Sequence, residues 1–187
     1  MFDRFSKEKS DFLSKKDKSK KGSIDKDILP LVNKINSKKD FYTTSSCSGR
    51  IMLIERLSNK KNECKWLLAE HRKIKPEDII NILKNKNIKN EIWLKFEPLI
   101  LHVACNNIES AKKFLETARK LFKRSGIISI TESKVMIEAI GTERIEAIVA
   151  GKDFVAGNSY IKNLVKSANK KFEENKSRLS GLSTIIT

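Results

Sequence analysis

The stretch EIWLKFEPLILHVAC, residues 91–105, decides the fold. Aromatic, β-branched and long apolar side chains fill it on both sides of Pro98, as a strand requires. A lone proline is poor material for a hairpin turn, so the stretch reads as one long strand bent at Pro98. Upstream, RIMLIER (50–56) and CKWLLAEHR (64–72) are further strand candidates. Downstream, GIISIT (126–131) and KVMIEAI (134–140) are short β-branched runs that read as paired strands, and ERIEAIVAG (143–151) is a weaker one.

Helical patterns separate these runs. Ile28, Leu31, Val32 and Ile35 fall at i, i+3, i+4 and i+7, which predicts a helix with Pro30 near its start. Pro76, Glu77 and Asp78 open a second helix with Ile79, Ile80 and Leu83 facing in and Asn87 as its cap. Asn106 with Glu109 resembles a capping box for a third, which carries Ile108, Ala111, Phe114, Leu115, Ala118 and Phe122 as its apolar series and ends at Gly126. Asn158 or Ser159 caps a last one, with Ile161, Leu164, Val165, Ala168 and Phe172 on its buried side. FYTTSSCSGR (41–50) is too rich in hydroxyls for a helix and reads as a loop. The result is a mixed α/β (α+β) chain whose neighbouring strands must pair antiparallel.

At 187 residues and 39% apolar, the chain suits one domain with a real core. We expect residues 1–22 to form a basic helical arm, 23–180 the catalytic body and 181–187 a tail. No apolar run approaches the ~20 residues of a membrane helix, and MFDRFSKEKSDF (1–12) has no secretory h-region. Three cysteines suggest a reducing compartment, so a cytoplasmic protein is expected. With 39 Lys+Arg against 23 Asp+Glu, the formal charge is +16. That excess suits nucleic acid or an acidic membrane surface, and a merely Lys-rich surface is the plain alternative.

The densest polar cluster is Thr43, Thr44, Ser45, Ser46, Cys47, Ser48, Gly49 and Arg50. Its hydroxyls, amides and guanidinium would suit an anion, while an ordinary turn capping its own backbone is the competing reading. His102, inside LILHVAC, is either a bonded core histidine or a catalytic one. Cys47, Cys64, His71, His102 and Cys105 lack the paired spacing of a zinc site, so no metal is expected. The glycines form neither a dinucleotide fingerprint nor a P-loop, which speaks against a Rossmann-type domain.

The runs DKSKKGSID (17–25), FYTTSSCSGRI (41–51), WLKFEPLILHVAC (93–105), RSGIISI (124–130) and YIKNLVKSANKK (160–171) resemble the wybutosine-synthesizing protein 3 family. The resemblance spans roughly Phe5 to Leu179, and the short free-standing form is similar to the archaeal members. It implies a barrel-like, mostly antiparallel or mixed sheet with helices outside, unlike Rossmann methyltransferases. It also implies an S-adenosylmethionine-dependent enzyme that methylates N4 of a 4-demethylwyosine-type nucleoside beside the anticodon of tRNA-Phe. A non-catalytic basic RNA-binding module is the alternative.

Under that resemblance Ser45, Ser46, Cys47, Arg50 and His102 are the expected catalytic residues. Arg50 and the hydroxyls would hold carboxylates, His102 would take a proton or orient the base, and Cys47 would supply shape and hydrogen bonding. Ser48 and Gly49 are expected at the cofactor. Lys18, Lys20, Lys21, Lys112, Lys113, Arg119, Lys120, Lys123 and Arg124 are expected to grip tRNA, with the solvated face of an amphipathic helix as the bland reading of those on the helix from Asn106.

Overall fold

The computed structural model describes residues 4–15, 24–58 and 63–186. Its contacts gather into two compact units. Unit 1 comprises Met1–Ser48, Leu99–Thr142 and Lys176–Thr187; unit 2 comprises Gly49–Pro98 and Glu143–Asn175. Each contains one antiparallel sheet, and no parallel strand pair occurs among the described residues. The fold is therefore mixed α/β and not a Rossmann fold, and its strands form two open sheets and no closed barrel.

In unit 1, β1 (Phe41–Cys47), β5 (Ile100–Cys105), β6 (Gly126–Ile130) and β7 (Val135–Ile140) pair in the order β1-β5-β7-β6. Strand alternation sends Leu101, Val103 and Cys105 to one face. There they meet α2 (Leu29–Asn36), α4 (Ile108–Ala118) and the end of α5 (Asn158–Ile185) through Leu31, Phe114 and Leu182. On the other face α1 (Arg4–Leu13) inserts Phe5 against Tyr42, with ring centroids 5.3 Å apart, and both rings contact Ala104. Lys134 donates to Glu8 at 2.6 Å, which ties α1 to the start of β7.

In unit 2, β2 (Arg50–Arg56), β3 (Cys64–Glu70), β4 (Ile92–Glu97), β8 (Ile145–Gly151) and β9 (Phe154–Val155) pair in the order β3-β2-β4-β8-β9. Ile51, Leu53, Leu94 and Phe96 form its apolar face, covered by α3 (Pro76–Lys84) and by Ile161, Val165 and Phe172 of α5. The Asn169 amide brackets Ile74, accepting from its N–H at 3.0 Å and donating to its carbonyl at 2.9 Å.

Several expectations need correction. Residues 91–105 are two strands, β4 and β5, in different sheets. Pro98 has no N–H to donate to a ladder, and the Leu99 carbonyl instead accepts from Gly141 at 2.9 Å. FYTTSSC is strand β1: it lies at a sheet edge, where hydroxyl side chains cost little, and a register shift between Thr43 and Ser45 bends it. The α4 cap is Asn107, which accepts from the Ser110 amide at 2.9 Å, because Asn106 is held by the Asp40 carbonyl. That helix stops at Ala118, not at Gly126. Its exit is tied by Arg119 Nε donating to the Ser125 carbonyl at 2.8 Å. Asn85, not Asn87, caps α3. The expected tail at 181–185 is the last turn of the 28-residue α5, with Leu182 buried. Of the expected basic arm, Lys18, Lys20 and Lys21 lie outside the described residues. No helix of the described residues is long and apolar enough to cross a membrane.

Candidate functional site

The hydroxyl-rich run divides its labour along β1 and the link that follows. Thr43 is buried, and its amide donates to Asn36 Oδ1 at 2.8 Å. Ser45 is exposed and Ser46 and Cys47 are half-buried. Ser48 is buried, with its amide and hydroxyl both on Asp25 Oδ2, at 3.0 and 3.2 Å. Gly49 has φ 100°, a conformation that an L side chain rarely adopts. Thus Ser48 and Gly49 fix the path of the chain, while Ser45 presents its hydroxyl on the His102 face and Ser46, opposite Leu101, belongs to the other face of the strand.

In unit 1, Ser45 stands directly opposite His102 in the β1–β5 ladder. Opposite residues share a face, so both point away from the Leu101–Val103 core. His102 is half-exposed and is in turn opposite Glu138 of β7, with Nε2 3.1 Å from Glu138 Oε2. An ionised carboxylate only accepts, so Nε2 of the neutral ring carries the proton and Nδ1 keeps a lone pair. His102 is therefore a solvent-accessible, oriented imidazole.

In unit 2, Arg50 donates from Nε and Nη2 to one oxygen of Glu97, at 3.1 and 2.8 Å. Its guanidinium lies over Trp66, with the central carbon 4.8 Å from the ring centroid. The Nη1 edge has no bond among the described residues. A guanidinium pinned on one edge and one face offers the remaining edge to a carboxylate or phosphate at little entropic cost. His71 Nδ1 lies 2.9 Å from the Gly49 carbonyl and steadies the start of β2.

Among the expected RNA-binding residues, Lys112, Lys113, Lys120, Lys123 and Arg124 are exposed on or just after α4. Lys112 is 3.4 Å from Glu109, and Arg119 is used by the Ser125 turn. Sequence reading missed Glu138, Glu97, Trp66 and Asp25 as partners of the expected site residues. Each meets its partner through long-range pairing or packing, which short-range patterns do not encode. The Cys105 thiol, pushed up to about 12 by burial and then by the nearby Asp40 carboxylate, is inert packing.

A family model, Methyltransferase TYW3, matches residues 7–187. The chain belongs to this family. Curated members include the tRNA wybutosine-synthesizing protein 3 homolog of Bos taurus, 40% identical over 94% of this chain and 69% of that protein. A member from Pyrococcus horikoshii is named tRNA(Phe) 7-((3-amino-3-carboxypropyl)-4-demethylwyosine(37)-N(4))-methyltransferase 1 and is 36% identical over 89% of this chain and 86% of its own. Among solved structures, the PH1069 protein from Pyrococcus horikoshii superposes with TM-score 0.83 at 34% identity, covering 89% of this chain and 87% of that one. A hypothetical protein from Aeropyrum pernix superposes at 0.74 with 28% identity, over 87% of this chain and 96% of that one. The TYW3 fold thus accounts for a methyltransferase without a glycine-rich cofactor loop.

Proposed function

We propose that this TYW3-family methyltransferase acts in the cytoplasm on tRNA-Phe, at N4 of a 7-(3-amino-3-carboxypropyl)-4-demethylwyosine-type nucleoside beside the anticodon, with S-adenosylmethionine as methyl donor. The observation that carries this reading is the match to the Pyrococcus horikoshii methyltransferase along 89% of the chain. Bound S-adenosylmethionine supplies a methyl group on a positively charged sulfur, together with an amino acid carboxylate.

The residues present fit such ligands. Arg50, held by Glu97 and Trp66, binds a carboxylate of cofactor or substrate through its remaining edge. In unit 1, Ser45 beside His102 offers a hydroxyl to the substrate, and Cys47 contributes shape and weak hydrogen bonding. Ser48 and Gly49 serve the cofactor by fixing the loop. His102, with Nε2 on Glu138, offers Nδ1 to the proton that the ring nitrogen must release when it is alkylated. Methyl transfer is an in-line displacement, so alignment and exclusion of water supply most of the acceleration.

The test is transfer of labelled methyl from S-adenosylmethionine to tRNA-Phe that carries the demethylated nucleoside. Label should appear in that nucleoside, and Arg50→Ala should abolish it with the far-UV circular dichroism unchanged. No transfer by the natural chain overturns the function, and full activity of Arg50→Ala overturns the site.

A further inference from the structure

Both tryptophans of the chain, Trp66 and Trp93, stand in one row on the face of the unit 2 sheet turned away from its core. Ile54 of β2 lies directly opposite Trp66 on β3 and directly opposite Trp93 on β4. The three side chains therefore project from one face, whereas Leu53 and Leu94, one step along in the alternation, are fully buried in the core. Each indole carries a guanidinium: Arg50 lies 4.8 Å from the Trp66 centroid and Arg56 4.1 Å from that of Trp93. Trp66 is 39% exposed, and neither ring belongs to an apolar core cluster.

We propose that this row is a stacking platform for unpaired nucleobases of an RNA loop. Aromatic rings and guanidinium planes side by side on one sheet face are the chemistry that recognises splayed bases, because every base has a π-face. Arg50 and Arg56, lying over the rings, present their own planes to it; Met52 and Ile54 on the same face are buried. Trp66 and Trp93 are two strands apart, about 10 Å. That is roughly three times the ~3.4 Å rise of stacked bases, so the row suits bases pulled out of a stack and not a duplex. Charge favours the same occupant. Glu97 balances Arg50, Glu146 balances Lys95 and Glu91 accepts from the Trp93 indole at 3.0 Å, while Arg56 makes no ion pair among the described residues and lies over the second ring, where it can meet a phosphate. The identity of the RNA as the anticodon loop of the substrate tRNA rests on the function proposed above.

The experiment uses the full chain and its two natural fluorophores. Tryptophan emission is titrated with an unmodified tRNA-Phe anticodon stem-loop and with a fully paired RNA duplex, and binding of each is measured separately by anisotropy of end-labelled RNA. The stem-loop should quench emission and the duplex should not. Trp66→Phe and Trp93→Phe should each remove part of the quench. Trp66→Ala and Trp93→Ala should each weaken loop binding about 5- to 150-fold, the range for losing one base stack. A stem-loop that binds while emission stays unchanged overturns the proposal and puts the RNA elsewhere, whatever the Ala variants' folding does. Methyl transfer by a chain whose tryptophans stay silent sinks only the platform. Quenching without any methyl transfer sinks only the catalytic reading.

Discussion

His102 and Glu138 face each other across β5 and β7, with Nε2 3.1 Å from Oε2, on the face of their sheet opposite the core. The contact fixes which ring nitrogen of His102 is left to accept a proton. His102→Ala should lower kcat by about 10²–10⁴-fold, the usual contribution of a positioned base. Glu138→Ala should redistribute the neutral ring between its two tautomers. The chain has two histidines, so long-range nitrogen NMR reads both, with His71 as an internal reference. An unchanged His102 tautomer in Glu138→Ala would show that the carboxylate does not orient the ring.

Asp25 should matter for stability as much as for activity. Its Oδ2 accepts both the amide and the hydroxyl of buried Ser48. Asp25→Ala removes that acceptor and should cost about 1–3 kcal/mol by urea unfolding. Gly49→Ala, at φ 100°, should cost a further 1–2 kcal/mol, roughly the penalty of a left-handed L residue.

Glu55 makes unit 2 sensitive to acid. Burial by itself pushes its carboxyl up, but hydrogen bonds from Lys86 and Asn90 at 3.0 and 3.2 Å outweigh it and hold the group below its ordinary 4.5. A carboxylate depressed in the folded state stabilises fully above its ordinary value, and the contribution fades as pH falls from there through the folded value. Lys86→Ala leaves Glu55 without its ammonium and should cost about 1–3 kcal/mol at pH 7. The gap between the natural chain and this variant should narrow below about pH 4.5; a gap independent of pH contradicts the assignment.

Cys105 should be silent to thiol reagents in the native chain. Its thiol, pushed up to about 12, is buried between β1 and β7, whereas Cys47 and Cys64 are half-buried. A disulfide-exchange reagent should titrate at most two thiols natively and a third only on unfolding. Rapid native labelling of Cys105 would show that this part of the sheet opens locally.

If the exposed cations after α4 grip phosphates, tRNA affinity should fall steeply with salt. Replacing Lys120 and Lys123 with Ala should reduce the log–log slope by about one unit each. A flat salt response would remove these residues from the interface.

The helices were legible because their signals are local. Pro76, the apolar spacing from Ile28 to Ile35 and the buried side from Ile161 to Phe172 each lie within a few turns. Caps slipped by a residue or two where a neighbour competed, as when Asp40 claimed Asn106 and left Asn107 to cap α4. Pro98 was misread because a bend and a break look alike until the partners of each half are known, and β5 pairs with β1 and β7 while β4 pairs with β2 and β8. The family resemblance singled out Arg50, Ser45 and His102. Their supports Glu97, Trp66 and Glu138 were invisible, since only strand register brings them within reach. The hydroxyl run read as a loop because its polarity concealed an edge strand.

The interleaving of segments also governs how the polypeptide can acquire its structure during synthesis. Unit 1 draws on the beginning, the middle and the last stretch of the chain, Lys176–Thr187. Leu179, Leu182 and Ile186 complete its core, so that core cannot close while residues 176–186 are still inside the ribosome. Pairings this distant along the chain are slow to form, and the early strands must wait with their edges open. A nascent chain truncated before Lys176 is therefore the form most exposed to aggregation and to chaperone capture.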